Sequence, residues 1–281
     1  MRPLSVALIV ALTAIFAFAT PAKADRANAK YKKAVALKNK GKTDEAIALL
    51  EEAVAERANH GMAWAALGSL YKKKAKYDKS VNAYEKATKI ITKNAGLFAS
   101  LGMAYYRAGD SDKALVALKQ SCDIEFKQAD VHANMGVIKR EKGDVKGAII
   151  HGRWAVKLNP KDPVYYSNLA IAYRVDKQYG KAIKSIEKAI ELAPSDANFR
   201  FNLAVIYRRT EKVDEAIAAY SEAVKLKPDF AKAWYDLGHM HRLNHDNDKA
   251  INAFTRYLDL TQGKDKKADK AVKKQIEMLK K

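Results

Sequence analysis

Apolar residues recur along most of the chain at the three- and four-residue spacing of amphipathic helices. One such apolar face consists of Tyr166, Leu169, Ala170 and Tyr173. After a short polar turn, a second face consists of Ala182, Ile183, Ile186, Ala189 and Ile190. No strand-like alternation competes with this pattern. The chain is therefore predicted to be all-α and built from pairs of helices.

The helix pairs repeat at a constant period, without insertion or deletion, from Ala27 to Lys264. Seven units begin near residues 27, 61, 95, 129, 163, 197 and 231. The eighth position of each unit is small: Ala34, Gly68, Gly102, Gly136, Ala170, Ala204 and Gly238. Small residues let paired helices approach to about 8–10 Å. Because one helix pair cannot bury its own apolar face, we expect neighbouring units to stack.

The ends of the helices are also marked in the sequence. Proline occupies position 32 of three units, at Pro160, Pro194 and Pro228, where it ends the second helix because it lacks an amide donor. Asp162 followed by Pro163 predicts an N-cap and a first helical residue.

The small residues combine with aromatic residues at the fourth and eleventh positions, such as Trp64, Tyr71, Tyr166 and Tyr173. This pattern resembles the tetratricopeptide repeat and covers about 240 of the 281 residues. The resemblance implies a right-handed superhelical solenoid of seven helix-turn-helix repeats over residues 25–264. Residues 265–281 are predicted to be a basic capping helix. The resemblance also implies a non-catalytic scaffold for protein–protein interaction.

The segment Met1–Ala24 differs from the rest of the chain. Arg2 precedes an apolar run from Leu4 to Ala19, and Ala22-Lys23-Ala24 fits a small-x-small cleavage site. The run is shorter than the roughly 18 residues expected of a spanning helix. We expect cleavage after Ala24 and a periplasmic or secreted protein of the bacterial cell envelope. An uncleaved membrane anchor is the alternative.

Composition and motifs limit the kinds of site that the chain can be expected to contain. The single cysteine excludes an intramolecular disulfide, and the sequence contains no phosphate-binding loop or catalytic triad pattern. His241 and His245 lie one helical turn apart and are weak candidates for a metal site. No enzyme activity and no cofactor are expected. A net charge of +20 would suit nucleic acid, but the predicted export argues against that partner.

The most informative surface feature is a row of cations at the twelfth position of the units. Four successive units carry arginine there, at Arg140, Arg174, Arg208 and Arg242. Arg107 and Arg209 stand at position 13, and Phe201 and Tyr235 at position 5. The resemblance implies that these positions line a concave groove. Since arginine binds carboxylate and phosphate through a planar fork, an acidic or extended segment is the predicted ligand.

Other interpretations stay open. Cations in the last turn of a helix interact favourably with its dipole, and the row can be explained by that effect alone. The basic ends of the chain can instead tether a self-assembling structural subunit to anionic lipid or cell-wall polymer.

Trp154 stands where other units are charged or polar, two residues after Gly152 replaces a large residue. It is expected either to cover the gap left by Gly152 or to be an exposed partner contact.

Overall fold

The computed structural model describes residues 21–263 and 266–281, which form fifteen α-helices. In chain order these are α1 Pro21–Asn39, α2 Thr43–Glu56, α3 Gly61–Lys73, α4 Tyr77–Ile90, α5 Ala95–Arg107, α6 Ser111–Ile124, α7 Ala129–Glu141, α8 Val145–Leu158, α9 Pro163–Val175, α10 Tyr179–Leu192, α11 Ala197–Arg209, α12 Val213–Leu226, α13 Ala231–Leu243, α14 Asn247–Thr261 and α15 Lys266–Leu279. The described ranges contain no strand. The predicted all-α class is confirmed.

The chain divides into two compact units, one of residues 1–108 and one of residues 109–281. In the first unit, α1 packs on α2 and α3 on α4, and successive pairs contact each other through α2 with α3 and α4 with α5. In the second unit, α7, α9, α11 and α13 each pack on the helix that follows. This stacking of helix pairs confirms the predicted solenoid of repeats with an added C-terminal helix.

The helix starts follow the repeat register. From α3 to α13, the first helix of each repeat begins at the same position of its unit, at Gly61, Ala95, Ala129, Pro163, Ala197 and Ala231. Asp162 caps α9 by accepting a hydrogen bond from the amide of Val164, and Pro163 lies in the first helical turn. The predicted cap is confirmed. Asp196 caps α11 in the same way, through the amide of Asn198.

Every repeat turns between its two helices through a residue of positive φ at position 15. These residues are Gly41, Ala75, Gly109, Gly143, Lys177, Glu211 and His245. At such a turn the next amide reaches back five residues, as Gln178 N does to Tyr173 O at 2.9 Å. This bond is the Schellman arrangement that satisfies the last carbonyls of a helix. Three of the turns have glycine, and four hold an L side chain in the left-handed region.

Close packing within a repeat explains the small residues at position 8. A Cβ placed on Gly68 would lie 2.8 Å from the Tyr84 ring, and one on Gly238 would lie 2.6 Å from Phe254. The hydroxyl of Ser80 donates to the carbonyl of Gly68 at 2.7 Å across the same interface. The glycines therefore make room for an aromatic side chain of the second helix.

The C-terminal helix α15 packs on α14. Val272 is 2% exposed, and it clusters with Phe254 and Tyr257 of α14. The hydroxyl of Thr261 donates to the buried carboxylate of Asp269 at 3.0 Å. The apolar face of α15 is thus covered by the last repeat, and its lysines face outward.

The apolar run Leu4–Ala19 lies outside the described residues, as does Lys264, the last residue of the repeat register. The predicted cleavage point after Ala24 falls within α1. None of the described helices combines the length and the hydropathy required to cross a membrane.

Candidate functional site

The predicted arginine row lies on four helices of the second unit. Arg140, Arg174, Arg208 and Arg242 all stand in the last turn of the first helix of their repeats. Their cations are therefore close to the negative ends of the helix dipoles, which favours each by roughly 0.3–1 kcal/mol. The four guanidinium groups differ in burial and in their charged partners.

Arg174 is a half-buried member of the row without a partner among the described residues. Its side chain is half-buried, and within the described residues it has no hydrogen-bond or ion-pair partner. Burial lowers the pKa of Arg174, and repulsion from Arg209, Arg140 and Arg208 lowers it further. These three arginines are therefore close enough to act on Arg174 electrostatically. A partly desolvated cation among other cations favours the approach of an anion.

Arg208 is paired with a carboxylate of the protein itself. Its Nη1 lies 2.7 Å from Oδ1 of Asp236 on the next first helix, and Asp236 is 5% exposed. The hydroxyl of Tyr220 lies 3.4 Å from the other carboxylate oxygen. Burial raises the pKa of Tyr220, and the charge of Asp236 adds to the effect. Arg208 is thus tied into an internal network and is less available to a partner than Arg174.

A signal for Asp236 was present at position 6 of the repeat. The units before it have asparagine there, at Asn134, Asn168 and Asn202. Only at Asp236 does a carboxylate replace the amide in these four units. The pairing was missed because Arg208 and Asp236 are 28 residues apart and belong to different repeats.

Arg140 lies beside a small cleft of the fourth repeat. It lines this cleft together with Asn168, Gly136 and Gly152. Arg140 Nη2 lies 3.8 Å from Glu141 Oε1 on the same helix, at the outer limit of an ion pair. The side chain of Arg140 is largely buried.

The remaining predicted arginines are peripheral. Arg209 and Arg242 are exposed at the ends of α11 and α13. Arg107 is exposed at the end of α5, in the first unit, beside Tyr77 and Lys79. Arg107 belongs to the first compact unit, whereas the row lies on the second.

Of the two predicted groove aromatics, Phe201 needs a correction. Phe201 is a core residue, 8% exposed, because its ring packs 5.6 Å from Tyr220 and 5.0 Å from Phe230. It offers no free ring to a ligand. Tyr235 is half-buried against α14, with its ring 5.2 Å from that of Tyr257. Its contacts also serve the packing of the last repeat.

Trp154 does not cover the gap beside Gly152. That space is taken by Leu169 of the next repeat, whose Cδ1 would lie 3.1 Å from a Cβ on Gly152. Trp154 instead packs its half-buried ring edge-on against Phe126 at 4.8 Å, with Lys157 above it at 4.7 Å. The fold-back interpretation is wrong, and the partner contact stays a prediction.

A pair of histidines in the fourth repeat, buried His132 and half-buried His151, was not foreseen. His132 Nδ1 and His151 Nδ1 are 3.0 Å apart, and His132 Nε2 lies 3.1 Å from the carbonyl oxygen of Phe126. Because a carbonyl only accepts, His132 carries its proton on Nε2 and accepts from His151 at Nδ1. Burial lowers the pKa of His151 to about 4, and the neighbouring His132 and Lys139 add to the shift.

The two histidines proposed for metal binding face different surroundings. His241 is buried, with Nδ1 3.7 Å from Asp246 Oδ2, whereas His245 is exposed at the positive-φ turn. Across the described ranges, no three His, Cys, Asp or Glu side chains are grouped closely enough to hold a metal ion.

Comparison with known proteins assigns the family. The family profile described as the Cilia and flagella-associated protein 70 C-terminal domain, a tetratricopeptide repeat region, matches residues 10–232. The Tetratricopeptide repeat profile matches residues 201–265. The chain belongs to the tetratricopeptide repeat family. Tetratricopeptide repeats are scaffolds for protein–protein interaction and are typically non-catalytic, and the chain is such a scaffold by its fold.

Solved structures of other tetratricopeptide repeat proteins are similar. MamA from Desulfovibrio magneticus RS-1 is 26% identical, with a TM-score of 0.56 over 61% of this chain and 97% of that one. The C-terminal part of a repeat protein from Cytophaga hutchinsonii is 21% identical, with a TM-score of 0.67 over 85% and 98%. A repeat protein from Parabacteroides merdae is 15% identical, with a TM-score of 0.69 over 92% and 100%. The last two likenesses concern the fold alone. Among curated proteins, none matches the chain significantly.

Proposed function

We propose that the protein is an exported scaffold of the bacterial cell envelope that captures an acidic, extended segment of a partner protein. The observation that carries the proposal is Arg174, a half-buried guanidinium without a partner in the described structure, repelled by three other arginines. An incoming carboxylate relieves that repulsion and gains charge-assisted hydrogen bonds. The leader-like residues 1–24 support the envelope location.

The arginines that matter most to this function are Arg140 and Arg174. Reversing Arg208 would place a glutamate against the buried carboxylate of Asp236, which would disturb folding rather than test binding. A double variant, Arg140→Glu with Arg174→Glu, avoids that carboxylate and inverts the charge of the open part of the row.

The test is an affinity pull-down from native envelope extract with protein starting at Asp25. Wild-type protein is expected to retain a partner that contains an acidic segment, and the double variant is expected to lose it. A matched control reverses two exposed cations elsewhere, Lys184→Glu and Lys225→Glu on α10 and α12, and should retain the partner. A partner that both variants capture as well as wild type refutes the proposal.

A second candidate function is an electrostatic tether. The exposed lysines of α15 are free to meet an anionic surface, but its apolar residue Val272 is packed on α14. Such a tether would therefore rely on charge without inserting an apolar face into lipid. Retention on anionic vesicles that survives the Arg140/Arg174 reversal but is lost when the α15 lysines are replaced would favour this function.

A further inference from the structure

The contact of Arg208 with Asp236 shows how a carboxylate is accommodated on the row. The Asp236 carboxylate lies on the first helix of the next repeat and meets the guanidinium at 2.7 Å. It is buried, and its second oxygen lies 3.4 Å from the hydroxyl of Tyr220. One anion is thus already built into the protein at the sixth repeat.

The two preceding arginines stand in the same register, but the residue 28 positions further along the chain is neutral. A separation of 28 residues joins Arg208 to Asp236, and the same step leads from Arg140 to Asn168 and from Arg174 to Asn202. Arg140 and Asn168 line one cleft. Asn202 lies between the first helices of two repeats, where its amide donates to Ser167 Oγ at 3.1 Å. The amide supplies the shape of the Asp236 side chain without its charge.

The charge balance of the three positions differs accordingly. Arg208 is neutralised from within, whereas Arg174 has no acidic partner in the described part of the chain. Arg140 has Glu141 only at 3.8 Å. Two guanidinium groups on consecutive repeats are therefore left to be neutralised from outside.

We propose that Arg140 and Arg174 form a pair of carboxylate subsites, one per repeat, and that the ligand is a polyproline II segment with acidic residues at every third position. The proposal rests on the proposed function and specifies its ligand.

The spacing follows from the repeat geometry. The first helices of consecutive repeats contact each other, α7 with α9 and α9 with α11. Since packed helices lie about 8–10 Å apart, we take Arg140 and Arg174 to be separated by roughly that distance. A polyproline II helix has 3 residues per turn and rises about 3.1 Å per residue, which puts residues i and i+3 on one face about 9 Å apart. In a β-strand, by contrast, residues i and i+3 point to opposite faces. An Asp-Pro-Pro-Asp segment thus matches two successive subsites.

The decisive variants place the missing charge inside the protein. Asn202→Asp is expected to give Arg174 the internal carboxylate that Arg208 has, with Ser167 donating its hydroxyl in place of the lost amide donor. Affinity for the acidic segment should fall by about tenfold or more, as expected when a charge-assisted contact is lost. Asn168→Asp should act alike on Arg140. Gln120→Glu, exposed on α6, makes the same change in net charge and should bind as wild type.

The reverse variant removes the built-in anion. Asp236→Asn keeps an acceptor for Tyr220 but frees Arg208, which should create a third subsite. A peptide with three aspartates at every third position should then bind more tightly to this variant than to wild type, while a peptide with two should not. Circular dichroism and thermal melting check that each variant is folded.

The probes are fluorescein-labelled peptides of equal charge and length, in which two aspartates are separated by one, two or three prolines, measured by fluorescence anisotropy. Strongest binding is expected with two intervening prolines, and weaker binding at higher salt. Equal binding of all spacings, with no effect of Asn202→Asp, would overturn the inference while leaving an arginine-dependent acidic partner in place. If no acidic peptide binds and the pull-down partner is indifferent to Arg140 and Arg174, the proposed function falls as well.

Discussion

Gly152 illustrates how the missing side chain of one residue is compensated by a neighbour. Other repeats carry a large residue at this position, such as Tyr84, Tyr220 and Phe254. In the fourth repeat, Leu169 of the following repeat lies against the glycine instead. Leu169 therefore takes up part of the gap inferred from the sequence, and the rest is the small cleft lined by Gly136, Gly152 and Arg140.

Gly152→Leu is accordingly expected to destabilise the protein by about 1–3 kcal/mol, the usual cost of overpacking, because even a Cβ at this position would lie 3.1 Å from Leu169 Cδ1. Chemical denaturation measures the change. Gly180→Leu is the matched control, because a Cβ there meets no atom within 4 Å and should cost nothing. Adding Leu169→Ala to Gly152→Leu should recover part of the loss. A stable Gly152→Leu single variant would contradict this packing.

The histidine pair makes the free energy of unfolding depend on pH. The ordinary pKa of histidine is 6.5, and burial lowers that of His151 in the folded protein to about 4. As the pH falls, the unfolded chain takes up this proton before the folded one. The contribution of neutral His151 is thus present above pH 6.5 and is lost between about pH 6.5 and 4.

His151→Asn keeps a donor for His132 Nδ1 but cannot titrate, so its free energy of unfolding should decline less over that pH range than that of wild type. Denaturation curves recorded between pH 7 and pH 4 provide the comparison. His245→Asn changes an exposed histidine and should follow the wild-type decline. Equal slopes for His151→Asn and wild type would show that the pair does not carry the effect.

The turn inside each repeat requires a positive φ at position 15, and the residue there is either glycine or an L residue held in the left-handed region. Gly41, Gly109 and Gly143 adopt positive φ without a Cβ, whereas Lys177 and Glu211 hold it at 58° and 57°. An L side chain in the left-handed region costs roughly 1–2 kcal/mol, partly offset by the greater entropy of an unfolded glycine.

Lys177→Gly should therefore raise the free energy of unfolding, by about 0.5–1 kcal/mol. Lys184→Gly, an exposed position within α10, is the matched control and should lower it by a similar amount because glycine is a poor helix former. Chemical denaturation of the two variants gives opposite signs if the turn geometry is right. A loss of stability in both would contradict it.

For the complete chain, the repeat register explains how much could be predicted from the sequence. The all-α class, the stacked pairs and the cap at Asp162 follow from patterns that are local or that recur once in every repeat. The arginine row could be read in the same way, because each member stands at one position of the repeat.

What the sequence could not supply are contacts that break the repeat. Phe201 was predicted to face the groove, but its ring is drawn into the core by Tyr220 and Phe230. His132 and His151 meet across 19 residues, and nothing in either helix alone indicates the pair. The Arg208–Asp236 contact depends on one amide-to-acid exchange between repeats that otherwise agree. Residues that differ between repeats form these contacts, and the repeat pattern that predicts the fold does not show them.

The Arg208–Asp236 contact has a consequence for the orientation of anything bound along the row. Among the described residues of the second unit, a buried carboxylate meets the arginine of the sixth repeat, Arg208, but not those of the fourth and fifth. The two directions along the row are therefore not equivalent. If the proposed ligand carries its acidic residues at one end, we expect that end to lie over the fourth and fifth repeats, which gives the bound segment a preferred direction.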